Sequence, residues 1–274
     1  MDKIIRTLIC NGNVQATVLS TTQLVNKAIA IHKTDVNQSN ILGGLLTCGA
    51  YVASGLKDEK GSVSLTVKAK DGDGAVSVSA DAELHIRGYA DGSCKQSLKG
   101  GNLTVVREDG YSRPFVGTCE LDSDEPCEAL AQYYQQSEQI PTAVSVTVYM
   151  NDDGTAKKAG GLIMQLLPDA DDEETSLAEE RFADYLNNLK DLSGDADEIF
   201  EKFIKDIACG EKVELFPEYK CNCSEEKIKG VLASVGREEL LNICEEQGEV
   251  KVHCHYCNKD YVYDKKRIEE TFTK

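Results

Sequence analysis

The sequence has no long hydrophobic run, and this absence restricts where the protein can reside. No apolar segment approaches the roughly 20 residues that a membrane-spanning helix needs, so we predict no membrane partner. The first ten residues carry Asp2, Lys3 and Arg6 within their only apolar stretch, which is not typical of a secretory signal peptide. We therefore expect a cytoplasmic protein, in which free thiols and metal sites are more common than disulfide frameworks.

The sequence also lacks the familiar catalytic motifs. It contains no Ser/His/Asp set, no phosphate-binding loop and no dinucleotide fingerprint, so we predict that the protein is not an enzyme. One enzymatic alternative is disulfide exchange by Cys254 and Cys257. It is less favoured because a metal would occupy both thiols and because the thioredoxin-like order of strand, motif and helix is missing.

Basic surface is scarce as well. The formal net charge is −17, from 47 acidic and 30 basic residues. Residues 169–220 hold 17 acidic and 6 basic residues, and residues 221–274 hold 11 and 9. A protein that binds nucleic acid usually places a basic face beside its zinc module. Because phosphates would be repelled here, we predict no nucleic-acid partner.

Cysteine, in contrast, is abundant, and four of the 11 cysteines form a motif near the C-terminus. Cys221 and Cys223 form a C-x-C pair, and after 30 residues Cys254 and Cys257 form a C-x-x-C pair. Two such pairs can close one tetrahedral four-thiolate site, which favours a single Zn²⁺ ion. His253 and His255, which flank Cys254, are not expected to bind the metal, because four thiolates already satisfy it.

Two interpretations of this predicted zinc site remain open. Zinc-bound cysteines are thiolates, the form that oxidants attack, and oxidised sulfur no longer serves as a zinc ligand. Cys223 can resolve a sulfenic acid on Cys221, and Cys257 can resolve one on Cys254. The alternative is a closed structural site that never reacts with oxidant. From spacing alone the structural alternative is favoured, because most four-cysteine zinc sites are structural.

The other seven cysteines show no metal-ligand spacing and are expected to be small buried or surface thiols. They are Cys10, Cys48, Cys94, Cys119, Cys127, Cys209 and Cys244.

The pattern of hydrophobic residues predicts an α+β fold with a large N-terminal domain over residues 1–168. Val63, Leu65 and Val67 alternate with polar residues, which is typical of a half-buried strand. Further strands are predicted within residues 14–19, 76–80, 83–89, 103–107 and 144–150, and residues 162–167 form the last apolar run before Pro168. Helices are predicted after Thr22, over residues 38–54 and over residues 125–137.

Residues 169–220 are predicted to form an acidic linker of amphipathic helices. Residues 176–179 match a capping box, which predicts a helix start at Ser176. The apolar residues of the two predicted helices are here called the apolar stripe. They are Phe182, Tyr185, Leu186, Leu189, Ile199, Phe200, Phe203, Ile204 and Ile207. These helices are either ordinary helices docked on the first domain or a marginal segment that opens, since short acidic helices are weakly stable.

Residues 221–274 predict a small zinc-binding domain. Ser224 and Asp264 are expected to cap helices, with a further helix ending at Gly248. About fifty residues is too few for a robust apolar core, so metal binding is expected to supply much of the folding free energy.

With these two cysteine pairs, the chain resembles the redox-regulated chaperones of the heat shock protein 33 family. The resemblance lies in the two cysteine pairs with their context, PEYKCNCS at 217–224 and VHCHYC at 252–257. It extends to ELHIRGY at 83–89, GNLTVVR at 101–107, EALAQYYQQSEQIPTAV at 128–144 and AGGLIMQLLP at 159–168. These segments span essentially the whole chain.

The resemblance implies a holdase that acts without ATP. The reduced form, with one Zn²⁺, would be inactive. Oxidative stress would release zinc and form the disulfides Cys221–Cys223 and Cys254–Cys257. The linker would then unfold and expose the apolar stripe, whose residues are thus the candidates for binding unfolding client proteins. The active form would tend to be a homodimer. The alternative function is a constitutive protein-binding module in which the zinc site is purely structural.

Overall fold

The structure is a computed structural model that describes residues 1–70, 74–91, 98–111 and 113–272. The chain divides into two compact units, Met1–Tyr219 and Lys220–Lys274. Within the described residues, no helix is both long enough and apolar enough to cross a membrane. The predicted linker, residues 169–220, lies almost entirely within the first unit, and its role as a separate switch stays a prediction.

The first unit is built from strands β1–β11 and helices α1–α5. The strands are β1 (Lys3–Ile9), β2 (Val14–Ser20), β3 (Ser62–Lys68), β4 (Ala75–Asp81), β5 (His85–Ala90), β6 (Asn102–Glu108), β7 (Phe115–Glu120), β8 (Thr142–Met150), β9 (Ala156–Leu166), β10 (Val213–Leu215) and β11 (Glu218–Tyr219). The helices are α1 (Thr22–His32), α2 (Val36–Ala53), α3 (Pro126–Tyr133), α4 (Asp172–Asn188) and α5 (Ala196–Phe203). A π-helical turn, Tyr134–Glu138, follows α3, and a 3₁₀ turn, Lys205–Ile207, follows α5.

The strands form two sheets. The first sheet has the order β10-β1-β2-β9-β8, and the second has the order β11-β5-β4-β3-β6-β7. All pairs are antiparallel except β11 with β5. The alternating burial of β3 and β4 confirms the half-buried strands that the sequence predicts. The fold class is therefore α+β, as predicted.

Helix α2 lies between the two sheets and is buried along most of its length. It packs against β3, β4 and β5 on one side and against β8 and β9 on the other. Small residues make this contact possible: a Cβ atom at Gly43 would lie 3.0 Å from a Val148 methyl carbon on β8, and one at Gly49 would lie 2.7 Å from a Val78 methyl carbon on β4. The main apolar core of the unit surrounds this helix.

Helices α4 and α5 cover the opposite face of the first sheet. Their apolar side chains pack with Ile5, Val18 and Leu162 in a second core cluster. The prediction that a capping box starts α4 at Ser176 is wrong. The N-cap is Asp171, whose side chain accepts a hydrogen bond from the backbone N–H of Glu174, while the Glu174 side chain accepts one from the backbone N–H of Asp171. The same capping chemistry therefore occurs five residues earlier than predicted.

The second unit consists of α6 (Glu225–Val235), α7 (Arg237–Gln247), β12 (Val250–Cys254), β13 (Lys259–Tyr263) and α8 (Lys265–Phe272). The predicted caps are confirmed: Ser224 accepts a hydrogen bond from the N–H of Lys227, and Asp264 accepts one from the N–H of Arg267. Its core is small. The buried residues of this core are Leu232, Leu240, Cys244, Val250, Tyr261, Tyr263 and Ile268.

Candidate metal centre

The four motif cysteines come together at one end of the second unit. Cys221 and Cys223 directly precede α6, whose start is fixed by the Ser224 cap. Cys254 ends β12, and Cys257 lies in the tight turn before β13. In this turn the N–H groups of Cys257 and Asn258 donate hydrogen bonds to the Cys254 carbonyl at 3.3 and 2.9 Å. The local turn thus aims both thiols of the C-x-x-C pair to one side.

The four Sγ atoms all lie within 4.8 Å of one another. The Sγ atoms of Cys221 and Cys254 are 3.6 Å apart, and those of Cys223 and Cys257 are 3.4 Å apart. A zinc–sulfur bond of about 2.3 Å gives a tetrahedron whose edges are about 3.8 Å. The cluster therefore fits a tetrahedral metal ion such as Zn²⁺, with all four thiols as ligands and only a small adjustment of their positions.

The side chain of Tyr261 also contacts the cluster. The hydroxyl of Tyr261, on β13, donates a hydrogen bond to Cys223 Sγ at 3.2 Å. Burial opposes ionisation of Cys223, but the hydrogen bonds from Tyr261 and from the Cys257 thiol outweigh it and lower the Cys223 pKa to about 7. Burial, together with its hydrogen bond to Cys223, raises the pKa of Cys257 to about 11. The protein groups alone thus favour negative charge on one sulfur, that of Cys223, whereas burial raises the pKa of Cys221 and of Cys257. The positive charge of a bound metal ion would be needed to keep all four sulfurs as thiolates.

Sequence reasoning missed Tyr261. The signal that could have found it is alternation along β13, because Tyr261 and Tyr263 lie on the same, buried face of a strand that leads out of the cysteine turn. Outer residues of this kind orient metal ligands and tune their basicity.

The two histidines beside the C-x-x-C pair do not join the cluster. The Nδ1 atom of His253 lies 2.6 Å from an Asp260 carboxylate oxygen, and its ring packs edge-on against His255 with centroids 5.2 Å apart. Of the remaining cysteines that the structure describes, Cys10, Cys48, Cys119, Cys127 and Cys244 are buried and Cys209 is exposed. Cys94 lies outside the described residues. Burial raises the pKa of the Cys48 and Cys119 thiols, which makes these groups poor nucleophiles.

The apolar stripe lies far more deeply buried than its candidate role in client binding alone would suggest. Tyr185, Ile199, Phe200, Phe203 and Ile204 are at most 5% exposed. Phe182, Leu189 and Ile207 are partly buried against the same cluster, and Leu186 is 44% exposed. A cleft of about 340 Å³ remains between α4 and strands β8 and β9, so the stripe covers the sheet incompletely.

Single buried charges hold both ends of α4. At its start, Glu174 accepts hydrogen bonds from the side-chain amides of Asn11 and Asn13 at 2.9 to 3.1 Å, and these bonds lower its pKa. At its end, the Lys158 ammonium donates to the carbonyls of Leu189, Lys190 and Leu192 at 2.9, 3.3 and 2.7 Å. The sequence signal for Lys158 is the pair Lys157-Lys158 near the start of a largely apolar strand, because alternation along a strand places two adjacent residues on opposite faces.

Ion pairs hold α5 to the first sheet. Asp197, in its first turn, binds the ammonium groups of Lys3 and Lys212 at 2.6 and 3.0 Å. Glu214, on β10, binds Lys212 at 2.8 Å and Lys3 at 3.5 Å. These four side chains are 20 to 46% exposed, so salt screens their interaction and each pair contributes little by itself.

Comparison with known proteins identifies the family. A family model described as Hsp33 protein matches residues 2–264. The 33 kDa chaperonin of Clostridium botulinum (strain Hall) is 32% identical, with 96% of this chain and 94% of the relative covered. That of Clostridium perfringens (strain SM101) is 34% identical, with 97% and 90% covered.

A solved structure shares the fold. The crystal structure of a 33 kDa chaperonin from Thermotoga maritima matches with a TM-score of 0.85 at 25% identity, covering 98% of this chain and 97% of that chain. The match includes the unit that carries the four-cysteine cluster. From the family model, the relatives and the shared fold, the chain belongs to the Hsp33 family of chaperones.

Proposed function

We propose that this chain is a redox-regulated holdase, which binds unfolding client proteins under oxidative stress without ATP. The observation that carries the proposal is the cluster of four thiols within 4.8 Å of one another. The unit that holds it has a small apolar core, so its stability depends on whatever holds the four sulfur atoms together. A chemical event at sulfur therefore becomes a change in folding.

Zn²⁺ bound by Cys221, Cys223, Cys254 and Cys257 would keep the four sulfurs as thiolates. A thiolate attacks one oxygen of hydrogen peroxide and breaks the O–O bond, which gives a sulfenic acid and hydroxide. A second thiolate then attacks the sulfenic sulfur and displaces a second hydroxide to form a disulfide. Each disulfide thus uses one peroxide, which accepts two electrons from two sulfurs, and two protons convert the hydroxides to water. Two disulfides would remove all four ligands and release the metal.

We propose the pairs Cys221–Cys223 and Cys254–Cys257. In the folded cluster, thiols of different pairs also approach closely, at 3.6 and 3.4 Å, so proximity in the reduced state does not select the partners. Separation along the chain favours the proposed pairs once the unit loosens. One or two intervening residues close a much smaller loop than thirty do, at a lower cost in chain entropy.

The client-binding surface in this proposal is the apolar stripe together with the sheet face it covers. The linker that carries the stripe, residues 169–220, leads directly into Cys221. Its acidic helices repel one another, α5 has only 8 residues, and the cleft beneath α4 leaves packing incomplete. Release of α4 and α5 would expose Ile5, Val18 and Leu162 as well, and apolar surface of this kind also favours the proposed homodimer.

The experiment compares reduced, zinc-loaded protein with protein treated with hydrogen peroxide. Light scattering of a heat-denaturing client measures holdase activity, a chelating dye measures zinc release, and peptide mapping identifies the disulfides. We expect zinc release, the two proposed disulfides and suppressed scattering to appear together, along with faster hydrogen exchange in residues 172–203. A third arm removes zinc with a chelator under reducing conditions, which separates loss of the metal from formation of disulfides.

The alternative, a constitutive binding module with a structural metal site, predicts a different pattern. Scattering would be suppressed equally before and after oxidation, zinc would stay bound, and α4 would remain protected from exchange. Cys209→Ser is the matched control for thiol loss, because Cys209 is exposed and lies outside the cluster. It should respond to peroxide as the unaltered protein does.

A further inference from the structure

Two arginines occupy positions on the inner faces of the two sheets where apolar residues would be expected. On β1, Arg6 follows Ile4 on the face that looks toward α2. On β6, Arg107 follows Leu103 and Val105 on the corresponding face of the second sheet. Arginine is among the residues least often buried unless it is paired. Two arginines at such positions, both bordering the same cavity, indicate a requirement for positive charge there.

The two arginines line a common cleft of about 400 Å³ beyond the C-terminal end of α2. Its charged side chains are Arg6, Lys57 and Arg107 on the basic side and Glu138 on the acidic side. The cleft thus has an excess of positive charge in a chain whose net charge is −17. Gln15 and Gln165, paired across β2 and β9, add amide donors to its wall.

The hydrogen bonds within the described residues leave much of this donor capacity unused. Arg6 donates from Nη1 to the Ser54 carbonyl, and its Nε is buried without a partner in the described structure. Arg107 contacts Glu138 through Nη1 and the Tyr134 hydroxyl through Nη2, each at 3.2 Å, and its buried Nε likewise lacks a partner. A guanidinium has five N–H donors, and a buried donor without an acceptor is destabilising.

We propose that this cleft is a binding site for a small anionic molecule that carries a phosphate or carboxylate group, with Arg6 and Arg107 holding the oxyanion. A planar guanidinium fork matches both kinds of oxyanion and binds them through paired, charge-assisted hydrogen bonds. The volume falls within the usual range of about 300–1,000 Å³ for small-molecule sites, so it admits more than an inorganic ion. The site lies in the first unit and is independent of the four thiols.

The test uses the full-length, reduced, zinc-loaded protein. Isothermal titration calorimetry with inorganic phosphate and with succinate, against chloride at matched ionic strength, measures binding. Saturable binding of phosphate alone identifies a phosphoryl ligand, and binding of succinate alone identifies a carboxylate ligand. Either result supports the site. Absence of saturable binding for both probes overturns it.

Variants then locate the site. Arg107→Lys keeps the charge and loses the fork, and Arg6→Gln removes the charge; each should weaken binding at least about tenfold, as expected for loss of a charge-assisted hydrogen bond. Arg237→Gln, an exposed arginine in the second unit, is the matched control and should bind as the unaltered protein does. Equal binding by all three variants overturns the assignment.

A second measurement uses the unaltered protein, because a variant could fail to fold. In ¹H–¹⁵N spectra of the arginine Nε groups, phosphate or succinate should shift two of the signals. Absence of any shift contradicts the proposal.

Discussion

Replacing Lys158 by methionine removes the ammonium at the end of α4 while keeping a flexible apolar side chain of similar length. Lys158 is 9% exposed, and its Nζ donates to the carbonyls of Leu189, Lys190 and Leu192. It also lies 4.3 Å from the ring centroid of Tyr149. Leu189 is the C-cap residue of α4, and Lys190 and Leu192 lie just beyond it, so the ammonium is placed at the helix C-terminus, where backbone groups carry partial negative charge.

The expected loss of stability in Lys158→Met follows from these contacts. A hydrogen bond to a charged group contributes about 1.5–3 kcal/mol net, and a cation at a helix C-terminus contributes up to about 2 kcal/mol. Burial works against the charge and lowers the Lys158 pKa, with the neighbouring Lys157 adding to the effect. We therefore expect the variant to lose about 2 kcal/mol of local stability, which makes the open form of α4 about 30-fold more populated, since about 1.4 kcal/mol corresponds to a factor of ten.

Hydrogen exchange measures this directly. Amides of α4 should exchange about 30-fold faster in Lys158→Met, while those of β3, in the second sheet, should not change. Lys157→Met is the matched control, because its side chain is exposed on the other face of β9. Equal protection of α4 in both variants would refute the reasoning. If the proposed holdase function is correct, reduced Lys158→Met should also suppress client aggregation more strongly than the unaltered protein.

Three further predictions concern the cluster and the start of α4. Cys223→Ser should sharply lower zinc content by a chelator-dye assay and loosen residues 221–272, whereas Cys209→Ser should change neither. Tyr261→Phe should weaken zinc affinity by roughly 10–100-fold in a chelator competition, as the loss of an outer hydrogen bond to a metal ligand typically does. Tyr263→Phe is its matched control, since that buried hydroxyl makes no hydrogen bond in the described structure, and similar affinities for both variants would contradict the role of Tyr261. The Glu174 pKa lies below the usual value of 4.5, so its stabilising effect is present above that value and is lost as the pH falls through the folded pKa. Hydrogen exchange of the α4 amides should therefore accelerate as the pH is lowered, and the Glu174→Gln variant should show a smaller acceleration. The same pH profile in both proteins would contradict the role of the Glu174 carboxylate.

Local patterns in the sequence predicted local structure well. The caps at Ser224 and Asp264 depend on residues three positions apart, and the alternation of β3 needs only seven residues. The predicted start of α4 at Ser176 was wrong because the neighbouring segment that begins at Asp171 offers the same capping chemistry. Contacts from Asn11 and Asn13, more than 160 residues away, favour Glu174, and no local pattern reports such contacts.

The sequence by itself determined the two thiol pairs, Cys221 with Cys223 and Cys254 with Cys257. Two short cysteine spacings each place their thiols close together, whatever the rest of the chain does, and the thiolate chemistry of such a set follows from the residue type. Only the tertiary structure decided what surrounds the functional residues, because those neighbours are distant in sequence. It placed Tyr261 on Cys223, buried the apolar stripe against the first sheet, and brought Arg6 and Arg107 to one cleft. Each of these contacts joins residues that only the packing of separate strands and helices brings together.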